Sequence, residues 1–228
     1  MKVISVTKEK ILIAIYLLII VIGLAVTMRD ETVMTATVSM PLSKKIVLID
    51  AGHGGADPGK VSGKTEEKNI NLEIAKMLQG YLEQADATVF MTRVDDSDLA
   101  QTKKSDMYSR KLTANTSKAD IFVSIHQNSY PDSSVQGSQV FYFNRSDNSK
   151  RLAECIQKEI KAFVNSRNKY EATENSNYYV LRQTTMPAVI VECGFLTNQN
   201  EKYKLNDPDY QDRLAWAIYM GIVDYFRE

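Results

Sequence analysis

The 228-residue sequence contains few cysteines, few histidines and no excess of charge of either sign. Lysine and arginine together number 28, as do aspartate and glutamate, so the composition predicts neither a basic surface for nucleic acid nor an acidic tail. Two cysteines, Cys155 and Cys193, cannot form a dense disulfide framework, and we expect two buried thiols. The absence of an internal repeat excludes a solenoid. With 44% hydrophobic residues, the chain can bury one sizeable core.

The amino terminus differs in composition from the rest of the chain. Lys2, Lys8 and Lys10 precede an uncharged apolar stretch from Ile11 to Met28. This stretch is longer than the usual core of a signal peptide, about 7 to 15 residues, and reaches the lower range for a spanning helix, about 17 to 25. Residues 1–28 are therefore predicted to be a signal peptide or a membrane anchor. The lysines would stay in the cytoplasm, so the remaining chain is expected to work outside the membrane.

Beyond a polar, threonine-rich linker at residues 29–43, strand and helix patterns alternate through the domain predicted at residues 44–228. Short apolar or β-branched runs predict strands at residues 46–49, 87–92, 121–125, 137–143, 178–181 and 188–191. Helical periodicity predicts helices at residues 66–82, 105–118, 149–164 and 209–226, with Thr65 and Ser105 as amino-terminal caps of the first two. This alternation predicts a single three-layer α/β domain, with a mostly parallel or mixed sheet and helices on both faces.

The first strand leads into a glycine-rich loop that carries His53, at the end of the strand where open α/β sheets bind ligands. Glu67 lies three residues before Ile70 and seven before Ile74, which places it on the inward face of the next helix. A carboxylate buried there needs a strong partner. Each residue alone also fits an ordinary role, a loop histidine bonded to backbone and a first-turn acid favoured by the helix dipole.

Three predicted strands each end in a residue with catalytic or metal-binding chemistry, namely His53, His126 and Glu192. Because the carboxyl ends of parallel strands meet at one edge of a sheet, we expect the three to converge with Glu67. Two imidazoles and one carboxylate suit a catalytic Zn²⁺ with an open fourth position, and a second carboxylate can serve as general base. Glu67 is nearer to His53 in the chain and is assigned to the metal, with Glu192 as the base, although the spacing also permits the reverse.

Six segments, in chain order, resemble the zinc-dependent N-acetylmuramoyl-L-alanine amidases of bacterial cell walls. They are IDAGHGGADPG, GKTEEKNINLEIA, TRVDD, SRKLTAN, ADIFVSIHQNS and PAVIVECGFLTN. The likeness covers roughly Lys45 to Arg227. It implies a six-stranded sheet, one catalytic Zn²⁺ bound by His53, Glu67 and His126, and Glu192 as the catalytic glutamate. The implied reaction is hydrolysis of the amide between N-acetylmuramic acid and L-alanine in peptidoglycan.

The same resemblance also implies roles for three polar residues, a cellular location and a partner protein. Arg93, Arg110 and Asn128 match polar positions of the family, although the favoured role of the arginines is to brace loops. A compact domain behind an apolar segment most resembles the germination-specific amidases of endospore formers, which help make muramic-δ-lactam in spore cortex. We therefore expect an extracytoplasmic enzyme, exported or anchored, with the space between the spore membranes as one location. The lack of a wall-binding module suggests a separate activating protein.

Three alternatives stay open on the sequence alone. The protein can be a vegetative wall amidase, or another zinc hydrolase of peptidoglycan such as a peptidase or a sugar N-deacetylase. The third is a membrane-tethered wall-binding protein without catalytic activity. The identity of the reaction product separates the enzymes from one another, because a peptidase leaves alanine on muramic acid.

Overall fold

The computed structural model describes residues 7–27 and 40–227. The chain divides into two compact units, residues 1–38 and 39–228. The first unit contains helix α1 (Lys8–Thr27), in which the large apolar side chains from Ile11 to Ile22 are exposed. Across the described ranges, no helix combines the length and the apolar character that crossing a bilayer requires. The signal or anchor role of residues 1–28 stays a prediction, and residues 28–39, most of the predicted linker, lie outside the described residues.

The second unit is built on a six-stranded sheet, which confirms the predicted α/β class. The strands in chain order are β1 (Ile46–Ala51), β2 (Val61–Ser62), β3 (Thr65–Glu66), β4 (Thr88–Met91), β5 (Ile121–Asn128), β6 (Gln139–Tyr142), β7 (Thr173–Glu174) and β8 (Ala188–Phe195). The sheet order is β4-β1-β5-β8-β6-β7, while β2 and β3 form a separate hairpin. Strands β4, β1, β5 and β8 are parallel, and β6 runs antiparallel to β8. The carboxyl ends of β1, β5 and β8 therefore meet at one edge.

Helices cover both faces of this sheet, as the alternating pattern predicts. They are α2 (Glu67–Gln84), α3 (Lys103–Thr116), α4 (Asp147–Phe163), α5 (Tyr179–Gln183), α6 (Gln199–Leu205) and α7 (Pro208–Arg227). Helices α2, α4 and α7 pack on one face over the larger core, and α3 and α5 pack on the other face over a smaller core. Along β5, Val123 and Ile125 point into the larger core and Phe122 into the smaller one. This alternation, with its period of two, places His126 on the α3 side.

The start of α2 corrects the prediction that Thr65 caps this helix. Thr65 belongs to strand β3, and the N-cap residue is Glu66, whose side chain makes no capping hydrogen bond. Backbone carbonyls accept instead, because the N–H groups of Glu67 and Lys68 donate to the preceding loop at 3.0 and 3.2 Å. A helix amino terminus leaves several N–H groups free for such bonds. The loop that follows His53 is thereby tied to the first turn of α2.

The strand predicted at residues 178–181 is wrong, since Tyr179–Gln183 forms the short helix α5. Val180 and Leu181 are both buried in the smaller core. Successive residues of a strand point to opposite faces, whereas one helical turn can direct two neighbours towards the same core. Packing therefore overrides the aromatic and β-branched composition that favours a strand.

Three further differences or agreements with the sequence predictions concern the cap of α3, the start of the folded unit and the two cysteines. Thr102, not Ser105, is the N-cap of α3, and Ser105 completes a capping box with it. Leu42, assigned to the linker, is fully buried in the larger core, so the turn before β1 belongs to the folded unit. Cys193 is buried, as expected, whereas Cys155 is only half-buried, which corrects the expectation of two buried thiols.

Candidate active site

His53, Glu67 and His126 converge at the carboxyl edge of the sheet, as the sequence predicts. One potential ligand atom from each residue lies within 4.8 Å of the other two. Oε1 of Glu67 is 3.3 Å from Nε2 of His53 and 3.0 Å from Nδ1 of His126. The two imidazole rings stand nearly edge to face, with centroids 4.9 Å apart. The three side chains thus form one cluster of nitrogen and oxygen donors.

His53 follows β1 in a strained backbone conformation that the surrounding loop maintains. Its φ is 61°, a left-handed value that costs a non-glycine residue about 1 to 2 kcal/mol. Arg110 donates a hydrogen bond to the carbonyl of His53 at 2.8 Å. Asp57, four residues on, bonds to Nδ1 at 2.8 Å. Because a carboxylate can only accept, this bond places a proton on Nδ1, and Nε2 is directed towards Glu67.

The charge of the site follows from the contacts of Glu67. Oε1 accepts the N–H of Gln127 at 3.0 Å, and Oε2 accepts the N–H of Lys60 at 2.8 Å. Burial favours the neutral acid, but hydrogen bonds and charges from His126 and His53 hold the pKa of Glu67 well below its usual range. Burial likewise opposes protonation of His53, while Glu67 and Asp57 raise its pKa. The carboxylate is ionised, as a metal ligand must be.

Two glycines make room for the cluster. A Cβ on Gly52 would lie 2.3 Å from ring atoms of His126. Gly59 has a φ of +65°, and a Cβ there would lie 2.6 Å from both Oε2 of Glu67 and the ring of His53. Any side chain at either position would therefore displace a member of the cluster.

Glu192 lies beside His126, since the two residues are register partners on neighbouring parallel strands. Its side chain is buried, and Oε1 accepts a hydrogen bond from the hydroxyl of Tyr178 at 3.1 Å. Oε2 has no hydrogen-bond partner within the described part of the chain. Burial, together with the charge of Glu67, raises the pKa of Glu192 above its ordinary value, although His126 and Tyr178 oppose the shift. A buried carboxylate with one free oxygen is suited to exchange a proton with a reactant.

Arg110 supports the end of β1 and the loop that carries His53. It is buried and donates to Oδ1 of Asp50 at 2.5 Å and to the backbone carbonyl of Ala51 at 3.0 Å. Burial opposes the charged form, but the charge of Asp50 and the hydrogen bonds that Arg110 donates to Asp106 raise the pKa of Arg110. Because these contacts fix the backbone at the end of β1, Arg110 braces the loop that carries His53.

Arg93 braces the same loop from the other side. Its guanidinium donates to the carbonyls of Ala51, Gly52 and Lys68 at 2.8 to 3.0 Å. The prediction that Arg93 and Arg110 stabilise loops is thus confirmed.

A charged loop after β4 holds the glycine-rich segment over the site. Asp96 accepts the N–H of Gly55 at 2.8 Å through one oxygen and the ammonium of Lys68 at 2.8 Å through the other. Asp98 accepts the N–H of Ala56 at 2.9 Å. The sequence identifies this stretch only as a charged loop, and its role in ordering the His53 loop depends on long-range contacts.

The cluster opens into a cavity of about 480 Å³. His53, Glu67, His126, Glu192 and Tyr178 line it together with Asn128 and part of α3. The described surface thus contains a site where the two histidines, Glu67, Glu192 and Tyr178 face one space.

Sequence reasoning misses two functional side chains, Asp57 and Tyr178. The position of Asp57, a carboxylate four residues after a loop histidine, is a signal that could have found it. Tyr178 carries no comparable signal, because its contact with Glu192 depends on the helix that replaces the predicted strand.

The cluster fits a zinc ion by its donor chemistry. Imidazole nitrogen and carboxylate oxygen are ordinary zinc ligands, and three of them leave a fourth position open. The partners of His53 and Glu67 supply the orienting contacts that zinc sites require. A three-layer α/β fold with this cluster at the sheet edge, beside a second buried carboxylate, is consistent with a zinc-dependent hydrolase.

Comparison with known proteins identifies the family. The sequence profile of the N-acetylmuramoyl-L-alanine amidases matches residues 47–224, and the chain belongs to this family. It is similar to the germination-specific N-acetylmuramoyl-L-alanine amidase of Bacillus subtilis (strain 168), with 37% identity over 198 residues, 83% of this chain and 83% of that protein. The chain is accordingly an N-acetylmuramoyl-L-alanine amidase, which acts on peptidoglycan outside the cytoplasm.

Two solved structures extend the likeness to three dimensions. The CwlD amidase from Clostridioides difficile, in complex with the GerS lipoprotein, has 38% identity and a TM-score of 0.78, over 81% of this chain and 99% of that chain. An N-acetylmuramoyl-L-alanine amidase from Clostridium difficile 630 has 37% identity and a TM-score of 0.74, over 82% and 98%. Both agree with the fold described above.

Proposed function

We propose that this protein cleaves the amide between the lactyl group of N-acetylmuramic acid and L-alanine with one Zn²⁺ held by His53, Glu67 and His126. The observation that supports this most strongly is the convergence of three ligand atoms within 4.8 Å. Glu192, buried beside them with one free oxygen, completes the catalytic set. When bound, the zinc lowers the pKa of a water molecule to about 7 and polarises the substrate carbonyl.

Glu192 transfers the protons in this reaction. It takes a proton from the attacking water and delivers it to the alanine nitrogen as the C–N bond breaks. Oε2 is the oxygen that exchanges the proton, because Oε1 accepts from Tyr178. The raised pKa of Glu192 brings it closer to neutral pH, where a carboxyl can both accept and donate.

Tyr178 and Asp57 position two of the groups on which this reaction depends, Glu192 and His53 respectively. Asp57 fixes the tautomer of His53 through the 2.8 Å bond to Nδ1, so that Nε2 is directed to the metal position. Tyr178 holds Glu192 in the cavity and leaves its second oxygen free. Neither residue needs to touch the zinc for its loss to reduce the rate.

The finer biological role that we propose is formation of muramic-δ-lactam in spore cortex. Similarity to a germination-specific amidase, at 37% identity over most of both chains, supports this role. Residues 1–28 would direct export as a signal peptide or an anchor, which places the domain between the spore membranes. An accessory extracytoplasmic protein would activate it, by analogy with the relative that was solved in complex with a lipoprotein.

Mass spectrometry of peptidoglycan incubated with the zinc-loaded protein tests the reaction. Free stem peptides with an L-alanine amino terminus are expected. Retention of the peptide on muramic acid would contradict the amidase reaction. Loss of muramic-δ-lactam from the spores of a deletion strain would support the cortex role, and spores with unchanged lactam would assign the enzyme to another part of the wall.

The partner is tested separately. A pull-down of the extracytoplasmic domain from sporulating cells is expected to recover an accessory protein that raises its activity. Recovery of no such protein, with full activity of the enzyme alone, would contradict this part of the proposal.

A further inference from the structure

A groove beside the active-site cavity has a cationic and partly aromatic lining. This α3 groove has a volume of about 480 Å³ and is lined by Lys103, Lys104, Met107, Tyr108 and Tyr179. Lys103, Met107 and Tyr179 also line the active-site cavity, so the two spaces are adjacent. A ligand held at the zinc site can therefore extend along α3.

The lysines of the α3 groove are available to a ligand. In the described ranges, neither Lys103 nor Lys104 forms an ion pair, and both side chains are exposed. A third ammonium, that of Lys111, lies 4.8 Å from the centre of the Tyr108 ring. Three cations on one helix surface attract an anionic ligand.

Two acidic neighbours have hydrogen-bond partners of their own, although Asp57 also feels the charge of Lys103. Asp106 accepts from Arg110 at 2.6 Å, and Asp57 bonds to His53 at 2.8 Å. The exposed lysines therefore carry the positive charge that is available to a ligand.

A second groove, which has no lining residue in common with the α3 groove, has the opposite character. It has a volume of about 390 Å³ and meets the active-site cavity at Asn128. Its lining is uncharged and consists of Asn128, Tyr130, Val135, Gln139, Tyr170 and Phe195. Amide and hydroxyl groups with aromatic faces suit the hydroxyls and apolar faces of a neutral sugar.

We infer that the α3 groove binds the stem peptide through its carboxylates, while the glycan lies on the side of Asn128. The inference rests on the proposed function, in which the scissile amide joins a neutral acetylated sugar to a peptide that ends in a carboxylate. The ammonium groups of Lys103 and Lys104 bind carboxylates as point charges. Met107 and Tyr179 pack against small apolar side chains such as that of alanine. The two grooves thus fix the direction of the substrate across the zinc.

Two matched substrates test this assignment with the full-length zinc-loaded enzyme. N-acetylmuramoyl-L-alanyl-D-glutamate carries the peptide carboxylates, and its diamide lacks their charge. The enzyme is expected to cleave both, with a KM about three- to tenfold lower for the charged substrate, a typical effect of two exposed ion pairs. Raised ionic strength is expected to narrow the difference.

The double variant Lys103→Gln/Lys104→Gln removes the two charges. It is expected to raise KM for the charged substrate to that of the diamide, so that the preference between the two substrates disappears. The control, Lys44→Gln/Lys118→Gln, removes two exposed lysines that precede β1 and β5, at the opposite edge of the sheet. It changes the net charge equally and is expected to keep the wild-type preference.

The outcomes separate the inference from the proposed function. Equal KM values for the two substrates, or a preference that survives the Lys103/Lys104 change or is lost in the control, would overturn the α3 groove alone. Failure of the wild-type enzyme to cleave either substrate would overturn the proposed function and, with it, the inference.

Discussion

The hydroxyl of Tyr178 donates a 3.1 Å hydrogen bond to one carboxylate oxygen of Glu192, and the other oxygen has no partner within the described residues. The asymmetry matters because a buried carboxylate without hydrogen bonds is costly, whereas one with all of its bonds satisfied is a poor proton acceptor. Tyr178 therefore stabilises Glu192 and leaves a single oxygen for chemistry.

Replacement of Tyr178 by phenylalanine should lower kcat about tenfold. The change removes one hydrogen bond to a charged group, worth roughly 1.5 kcal/mol, and keeps the ring. KM and zinc content are expected to stay at wild-type values, because the Tyr178 hydroxyl bonds to Glu192 and not to any of the three metal ligands among the described residues. Steady-state kinetics together with metal analysis checks this split.

Tyr142→Phe is the matched control for that experiment. Tyr142 lies on β6, packs against the larger core and lines neither the active-site cavity nor the α3 groove. Its loss of a hydroxyl should leave kcat unchanged. An equal fall in both variants would show that Tyr178 acts through general stability instead of through Glu192.

Replacement of Asp57 by alanine should weaken zinc binding about 10- to 100-fold, the usual cost of losing a partner that orients a metal-ligating histidine. Asp57→Asn should lose less, because an amide oxygen can still accept from Nδ1 of His53. Competition with a chelator of known affinity measures both.

Asp98→Ala distinguishes a direct orienting effect of Asp57 on His53 from a general effect on the order of the loop. Asp98 supports the same loop through the N–H of Ala56 but does not touch His53. A loss of zinc affinity as large as that of Asp57→Ala would assign the effect to the loop and contradict the orienting role.

The extent to which the sequence predicts this structure depends on the range of the interactions. The buried strand that precedes His53 and the two that carry His126 and Glu192 are predicted because continuous apolar runs and glycine-rich turns are local signals. The parallel arrangement then brings the three residues to one edge. Short elements are missed, as the small strands β2, β3 and β7 and helix α6 are, because two to seven residues give little periodicity.

The supporting residues of the site are harder to predict than its ligands. Tyr178 reaches Glu192 across 14 positions of sequence, and Lys68 reaches Asp96 across 28. Such contacts exist only once the tertiary fold has formed. The hairpin that displaces Thr65 from its predicted capping role shows the same effect, since a backbone bond from Glu67 to Lys60 takes the place of a side-chain cap.

The ion pair between Asp50 and Arg110 predicts a dependence of stability on acid pH. Burial opposes ionisation, yet Arg110, Ser124 and Thr92 hold the pKa of Asp50 below its ordinary value of 3.8. A lowered pKa in the folded state means that this contribution is fully present above the pKa of the unfolded state. It is lost as pH falls through the lowered value.

Asp50→Asn should therefore lower the free energy of unfolding by about 3 kcal/mol at neutral pH, because Arg110 is left buried without its counter-charge. The difference from wild type should shrink at acid pH, where wild-type Asp50 is itself protonated. Urea unfolding between neutral and acid pH measures both effects. Asp212→Asn is the control and should change stability by only about 0.5 kcal/mol, because this exposed side chain accepts one hydrogen bond, from Tyr81, that an amide oxygen can still accept. A constant difference at all pH values would contradict the account.

The most direct test of the account is the zinc content of Glu192→Gln, measured together with its turnover. The account predicts one zinc per chain, an unchanged fold and a fall in turnover of about 10²- to 10⁴-fold, because Glu192 transfers protons and does not bind the metal. Glu67→Ala should instead lose the zinc. If Glu192→Gln lost the metal while Glu67→Ala kept it, the roles assigned to the two carboxylates would be reversed.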